Sequence, residues 1–418
     1  MKTITTLTRM WLTRSTKPFI FQNEYDQKLP YSDCQNLGLY VHIPFCRSIC
    51  NFCPYCKLCI QQNYVTGISN SLLHEIHLVG SQHIGRKKAT SLYIWWRHTG
   101  SYSRTDQRNH LMLSKNIFII TEGIGVELHP DNVTPTVLQT LRDAGVTKSA
   151  LESNPSKINS KIFLGRTTVD AVKLKETLSE VPFETVSMDF IFALPNQTFD
   201  DLKSDIDKAF QSGANHIAIY PFIDFAFTSS SVAAMSKKEK QLLLNAVTHY
   251  CLDKGYIRTS IWTFSNEKKA SYSSMTRDNF LGFGCSAATL LDDQFKINTF
   301  SVEAYCERCK ENKLPTSLTT RFSLRQRMLY YLFWTAYSTK INPKDFENFF
   351  GVSLKSVYGI ELNLAKLLGF LTEENGIYTM TLKGAFYYHY YENFYTLSYI
   401  EKMWGILREE AFPEKIEL

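Results

Sequence analysis

The side chains best suited to chemistry are Cys46, Cys50, Cys53, Cys56 and Cys59, half of the ten cysteines in the chain and all in one short stretch. In a small secreted domain such a density would suggest disulfides. In a chain of 418 residues without an export signal it reads as metal ligation. Thiolates are the usual ligands of iron–sulfur clusters, and a cubane needs a loop short enough to present several sulfurs from one side. Cys46-x3-Cys50-x2-Cys53 has that spacing. Three protein thiolates leave the fourth iron open to a chelating amino and carboxylate group. Two rivals share the stretch: a tetrahedral zinc site on Cys50, Cys53, Cys56 and Cys59, and a ferredoxin-like electron carrier using Cys50, Cys53 and Cys56. The scattered Cys34, Cys251, Cys285, Cys306 and Cys309 read as small buried apolar residues.

The surroundings of the cysteines are more specific. The run LGLYVHIPFCRSICNFCPYCK resembles the coproporphyrinogen dehydrogenase family of the radical S-adenosylmethionine superfamily, the oxygen-independent coproporphyrinogen III oxidases, where Tyr-Val-His-Ile-Pro-Phe-Cys leads into the cluster loop. The resemblance continues through SMDFIFALPNQT, RDNFLGFGCSA and FKINTFSVEAYCERC, and so covers most of the chain from about residue 36 onward. It implies a [4Fe–4S] cluster on Cys46, Cys50 and Cys53, with S-adenosylmethionine at the open iron. Reductive cleavage there yields a 5′-deoxyadenosyl radical. It places Tyr40 against the bound S-adenosylmethionine, matches Glu127 and Glu152 to polar residues contacting it, Arg166 to the arginine at its carboxylate, and Asp189 to the acid at a ribose. Without the resemblance, Asp189 is a strand-end carboxylate capping the next helix. The implied activity is oxidative decarboxylation of a tetrapyrrole propionate to a vinyl group in haem biosynthesis. The family typically holds a second S-adenosylmethionine, and a donor such as flavodoxin or ferredoxin would supply the electron. A radical methyltransferase, an anaerobic haem-opening enzyme and a non-catalytic haem chaperone remain open alternatives.

Two departures bear on these. The porphyrinogen-oxidising members follow the third cysteine with x-Cys, whereas Tyr55 holds that place here. The second is SLYIWWRHTG, where the family has a strand followed by Gly-Gly-Gly-Thr-Pro, glycines that let the backbone approach the cofactor. The run Trp95-Trp96-Arg97-His98-Thr99 can be written TGG TGG AGG CAC ACC followed by a G. Deleting the first T leaves GGT GGA GGC ACA CCG, which reads Gly-Gly-Gly-Thr-Pro. This suggests a local frameshift entering near Ile94 and restored before ITEGIGVELHP. A divergent loop is the alternative. ALESNPSK, where the family has a version of Gly-Val-Gln-Ser-Phe-Asn, departs too and loosens the match at Glu152.

Such a site must be carried by regular elements. Apolar, β-prone runs recur at LGLYVHI, TSLYIWW, IGVELHP, VTKSAL, TVSMDFIFALP and HIAIYPF. Helical patterns lie between them at 61–79, 133–144, 168–180 and 199–212, the second with Thr134 as cap and Gly145 as stop. This alternation predicts an α/β fold, a partial (β/α)6 TIM-like barrel, with chemistry at the carboxyl ends of its strands, where the cysteines follow the first strand. The expected organisation is an N-terminal extension over 1–35, the barrel and its family-specific extension over 36–300, and a small helical, winged-helix-like domain over 301–418. In that last part, FLTEENGIYTMTLKG predicts a hairpin about Asn-Gly. It carries no Lys/Arg stripe and is read as support, not as a nucleic-acid reader. The net charge of +6, from 46 basic and 40 acidic residues, is dispersed and suits an anionic substrate equally well. No stretch approaches the ~20 apolar residues of a membrane span, and the chain is expected to be cytoplasmic. Arg277, in the RDNFLGFG segment that the resemblance places close to the barrel mouth, is the candidate contact for a propionate, with a helix-cap or surface salt-bridge role as the alternative.

Overall fold

The computed structural model describes residues 2–24, 28–46, 55–59, 62–95, 116–129, 132–152, 170–223, 225–226, 235–267 and 278–418. Six strands are parallel neighbours in chain order: β1 (Leu37–His42), β2 (Ser91–Trp95), β3 (Ile124–Leu128), β4 (Lys148–Glu152), β5 (Thr185–Phe192) and β6 (His216–Pro221). They are the six runs expected from the sequence. Burial along β2 and β3 is nearly continuous, as it must be for parallel strands covered on both faces.

The intervening helices start where the chain supplies caps. Thr134 accepts from Val137 N–H at the head of α2 (Pro135–Asp143), and Asp170 accepts from Val172 and Lys173 at the head of α3 (Ala171–Glu180). Thr198 and Asp201 form a reciprocal box on α4 (Phe199–Gln211), as do Ser236 and Glu239 on α5 (Lys237–Asp253). Each such cap contributes about 1 kcal/mol. The first crossover helix is α1 (Gln62–Gly80). Gly145, at φ +91, takes the left-handed turn that stops the helix before β4.

The barrel is open. Beyond β6 the sheet continues antiparallel through Thr263–Ser265, and beyond β1 it continues through β7 (Asn279–Phe283), which runs parallel to β1. It then extends antiparallel through Ala288–Leu291, Gln294–Asn298 and Thr316–Arg321. The last strands, Ile20–Gln22 and Lys415–Glu417, come from opposite ends of the chain and pair Phe21 with Ile416.

Helices α6 (Val302–Lys310) and α7 (Leu324–Tyr337) lead into a second, smaller core of Met328, Tyr331, Phe346, Leu354, Tyr358 and Tyr378. Its hairpin pairs Leu371–Glu374 with Ile377–Met380, turning at Asn375 and Gly376, both at positive φ as a two-residue hairpin turn requires. The chain returns through α8 (Leu382–Tyr395) and α9 (Glu401–Glu409). Among the described residues no helix is long and apolar enough to cross a membrane.

Candidate functional site

The register of the sheet determines which side chains share a level. His42 pairs with Trp95, Trp95 with Glu127, Glu127 with Ala150, Ala150 with Ser187 and Ser187 with His216. In a parallel sheet such partners point to the same face, so His42, Trp95, Glu127, Ser187 and His216 form one layer across the barrel. Two residues earlier on the same face lie Tyr40 and Tyr93, whose rings stack 6.2 Å apart. Two residues later Asp189 pairs with Glu152.

Hydrogen bonds tie these layers together. The Tyr93 hydroxyl donates to Glu127 Oε2 at 3.0 Å, within a site where Glu127 is buried. His42 Nε2 lies 3.1 Å from the Cys56 carbonyl, which can only accept, so Nε2 carries the proton and Nδ1 accepts from the Tyr40 hydroxyl at 3.0 Å. The Ser187 hydroxyl lies 3.1 Å from Asp189 Oδ1 and 2.9 Å from His216 Nδ1. Burial pulls His216 down to about 4, so its imidazole stays neutral at physiological pH.

Above this layer the cysteine segment leaves and returns. Phe45–Cys46 pairs in parallel with Leu58–Cys59, and Leu58 N–H donates to the Pro44 carbonyl at 2.7 Å. Cys46 is buried at this strand end. Cys56 is directed inward instead: its sulfur lies 3.7 Å from Cys285 Sγ and donates to the Phe300 carbonyl at 3.4 Å. Trp95, only 7% exposed, packs between His42 and Tyr55, with ring centroids 4.4 and 4.3 Å away. Tyr55 continues the aromatic wall to Trp404 of α9, which in turn meets Phe225 and Phe300. The Arg408 guanidinium sits 5.2 Å from the Phe300 ring centre.

Two phenols lie close to the carboxylates of these layers. Tyr220 is 41% exposed, yet burial pushes its phenol well above the ordinary range, with Tyr337, Asp189, Tyr55 and Glu127 adding to the effect. Tyr337, at the end of α7, is likewise pushed far up by burial, with Glu392 of α8 and Asp189 among the contributors.

Of the residues expected from the sequence, Tyr40, Glu127 and Asp189 come together on the inner face, and the backbone brings Glu152 beside Asp189. Cys46 lies at the strand end above them. Cys50, Cys53, Arg166, Arg277 and the stretch from Trp96 to Thr99 lie outside the described residues. His42, Tyr93, Ser187, His216, Tyr220 and Tyr337 were not anticipated. Counting in twos from Tyr40 and Asp189 reaches His42 and Ser187. His216, Tyr93 and Tyr337 become visible only through register and packing.

No family model matches the chain. Among curated proteins it is similar to the heme chaperone HemW of Lactococcus lactis, 24% identical over 344 residues, which cover 77% of this chain and 87% of that protein. HemW of Bacillus subtilis is 23% identical over 339 residues, covering 76% and 88%. The oxygen-independent coproporphyrinogen III oxidase of Cereibacter sphaeroides is 23% identical over 307 residues, covering 67% and 68%. Among solved structures, coproporphyrinogen III oxidase (HemN) from Escherichia coli, described as a radical SAM enzyme, superposes with a TM-score of 0.76. That match spans 93% of this chain and 98% of the other at 16% identity. The chain therefore has the fold of that radical S-adenosylmethionine enzyme, and in sequence it resembles both the chaperones and the oxidases.

Proposed function

We propose that this protein is a haem-binding protein built on the radical S-adenosylmethionine fold, holding a [4Fe–4S] cluster on Cys46, Cys50 and Cys53 and S-adenosylmethionine near Tyr40, Glu127 and Asp189. The donor chemistry fits both groups. Cys46 offers a sulfur at the strand end, while Cys56 already hydrogen-bonds elsewhere. Buried carboxylates such as Glu127 suit an ammonium group, and an acid at the level of Asp189 suits ribose hydroxyls. When bound, the cluster and S-adenosylmethionine together supply a carbon radical able to remove hydrogen from an unactivated carbon. The protein's part is positioning: Tyr93 orients Glu127, Ser187 orients Asp189, and His42 ties the returning cysteine segment to Tyr40.

The observation that carries haem binding over turnover is Trp95. Its indole occupies the register position between His42 and Glu127, where the resembled oxidases begin a glycine run. Radical chemistry depends on close placement of cofactor and substrate, and a buried indole at this level crowds that approach. Binding a large flat ligand makes no such demand. An aromatic wall of Tyr55, Trp95, Trp404 and Phe300 with Arg408 beside it has the apolar faces and cationic edge that a polyanionic tetrapyrrole needs. Tyr55 in place of the oxidases' additional cysteine supports the same reading, as do the two chaperone-named relatives. Oxidative decarboxylation of coproporphyrinogen is the second reading, favoured by the three-cysteine spacing and the oxidase-named relatives.

Absorbance titration of the anaerobically reconstituted protein with hemin tests the first reading. Saturable binding of about one equivalent, with a shifted haem band, is expected. Linear, non-saturating uptake indistinguishable from that of serum-free buffer with an unrelated protein would reject it.

A further inference from the structure

Cys285 reads from the sequence as buried filler, but the fold brings it against the cysteine segment. It follows β7, and its sulfur lies 3.7 Å from that of Cys56, 229 positions away in the chain. Both thiols are held over one turn: Cys285 donates to the Thr299 carbonyl at 3.0 Å and Cys56 to the adjacent Phe300 carbonyl at 3.4 Å. The backbone on either side is anchored as well. The Cys56 carbonyl accepts from His42, and Gly284 N–H donates to Glu75 at 2.8 Å. Two sulfurs held this way need only about 0.8 Å of movement each to reach the ~2.05 Å of a disulfide.

We propose that Cys56 and Cys285 are a redox-modification site, oxidised by hydrogen peroxide to a disulfide that fastens the returning arm of the Cys46–Cys59 segment to the loop after β7. The Cys56 thiolate attacks one peroxide oxygen, the O–O bond breaks, and the departing hydroxide leaves as water after taking up a proton. This forms a sulfenic acid. The Cys285 thiol then attacks that sulfur, the S–S bond forms, the S–O bond breaks and a second water departs. Two thiols lose two electrons and one peroxide gains them. The two positions suit these roles: Cys56 keeps some exposure to a peroxide while Cys285 has none, and burial raises the Cys285 thiol. Cys56 is therefore the attacking sulfur and Cys285 the resolving one.

The test is limited oxidation of the full chain with hydrogen peroxide, quenching with N-ethylmaleimide, digestion and mass spectrometry. A peptide pair joining Cys56 to Cys285, lighter by two hydrogens and separated by dithiothreitol, is expected from folded protein. It should be lost when urea is added before the peroxide. Cys56→Ser and Cys285→Ser should each abolish that pair, and in Cys285→Ser the sulfenic acid at Cys56 should persist and be trapped by dimedone. Because Cys56 and Cys285 are probed separately, a folding defect in one variant leaves the other informative. Recovery of both cysteines as maleimide adducts, or cross-links scattered among Cys285, Cys306 and Cys309 without preference, would overturn the proposal.

Discussion

Glu75→Gln offers a quantitative check on how the cysteine segment is supported. Glu75 lies on α1, fully inside the protein, and binds the turn after β7 to α6. Its Oε2 accepts from Gly284 N–H at 2.8 Å and the Tyr305 hydroxyl at 2.7 Å, and its Oε1 accepts from Asn298 Nδ2 at 2.8 Å. Burial outweighs these three donors and raises the carboxyl from 4.5 to about 7. The folded protein thus binds more protons at this site than the unfolded chain between those values. Its contribution to stability is complete below pH 4.5 and is lost as pH rises through 7. A shift of this size corresponds to about 3 kcal/mol at 1.36 kcal/mol per unit. Glutamine removes the titration but places an NH2 against Asn298 Nδ2, which cannot turn around because it also donates to the Gly284 carbonyl at 3.0 Å. That mismatch costs ~1–3 kcal/mol. The variant is therefore expected to be less stable than the parent at pH 4.5 and to gain about 3 kcal/mol relative to it by pH 7–8. Urea unfolding at a series of pH values, followed by circular dichroism, measures the difference. His216 and His389, both depressed by burial, act in the opposite direction, and Glu392 acts in the same direction. All three are common to both proteins and cancel. Parallel stability curves from pH 4.5 to 8 would refute the reasoning.

Reconstituted Cys46→Ala, Cys50→Ala and Cys53→Ala should lose iron and sulfide, whereas Cys56→Ala and Cys59→Ala should retain near-parental amounts; colorimetric iron and sulfide assays decide. Replacing Trp95, Trp96, Arg97, His98 and Thr99 by Gly, Gly, Gly, Thr and Pro, or repairing the whole 95–116 segment, should tighten S-adenosylmethionine binding by removing bulk. Equal affinity in equilibrium dialysis would contradict this, and resequencing the gene tests the frameshift itself. Gly284→Ala should destabilise by about 1–3 kcal/mol, because a Cβ there meets the His42 carbonyl and the residue sits at φ +100. Its denaturation midpoint is the readout.

The barrel was legible because parallel strands covered on both faces leave continuous apolar runs, and because Thr134 and Gly145 are local signals that act where they stand. The Asn375–Gly376 hairpin was legible for the same reason. Cys46, Tyr40, Glu127 and Asp189 were proposed through resemblance and strand position, and the fold sets Tyr40, Glu127 and Asp189 on one face of the sheet. The partnerships that organise them were hidden: nothing local links Cys56 with Cys285, or Glu75 with Tyr305, 230 positions apart. Such contacts depend on the register of β1, β2 and β7 and on the docking of α6. Trp95 shows the opposite limit. The sequence exposed it as a departure, while only the packing on His42 and Tyr55 gives it a physical role.

The most direct test of binding over turnover is anaerobic incubation of the reconstituted protein with coproporphyrinogen III, S-adenosylmethionine and a low-potential reductant, followed by chromatographic analysis of the tetrapyrroles. Preparations that bind hemin should return coproporphyrinogen unchanged and release no carbon dioxide. A mono- or divinyl product formed with matching carbon dioxide would contradict the account and establish the oxidase reading.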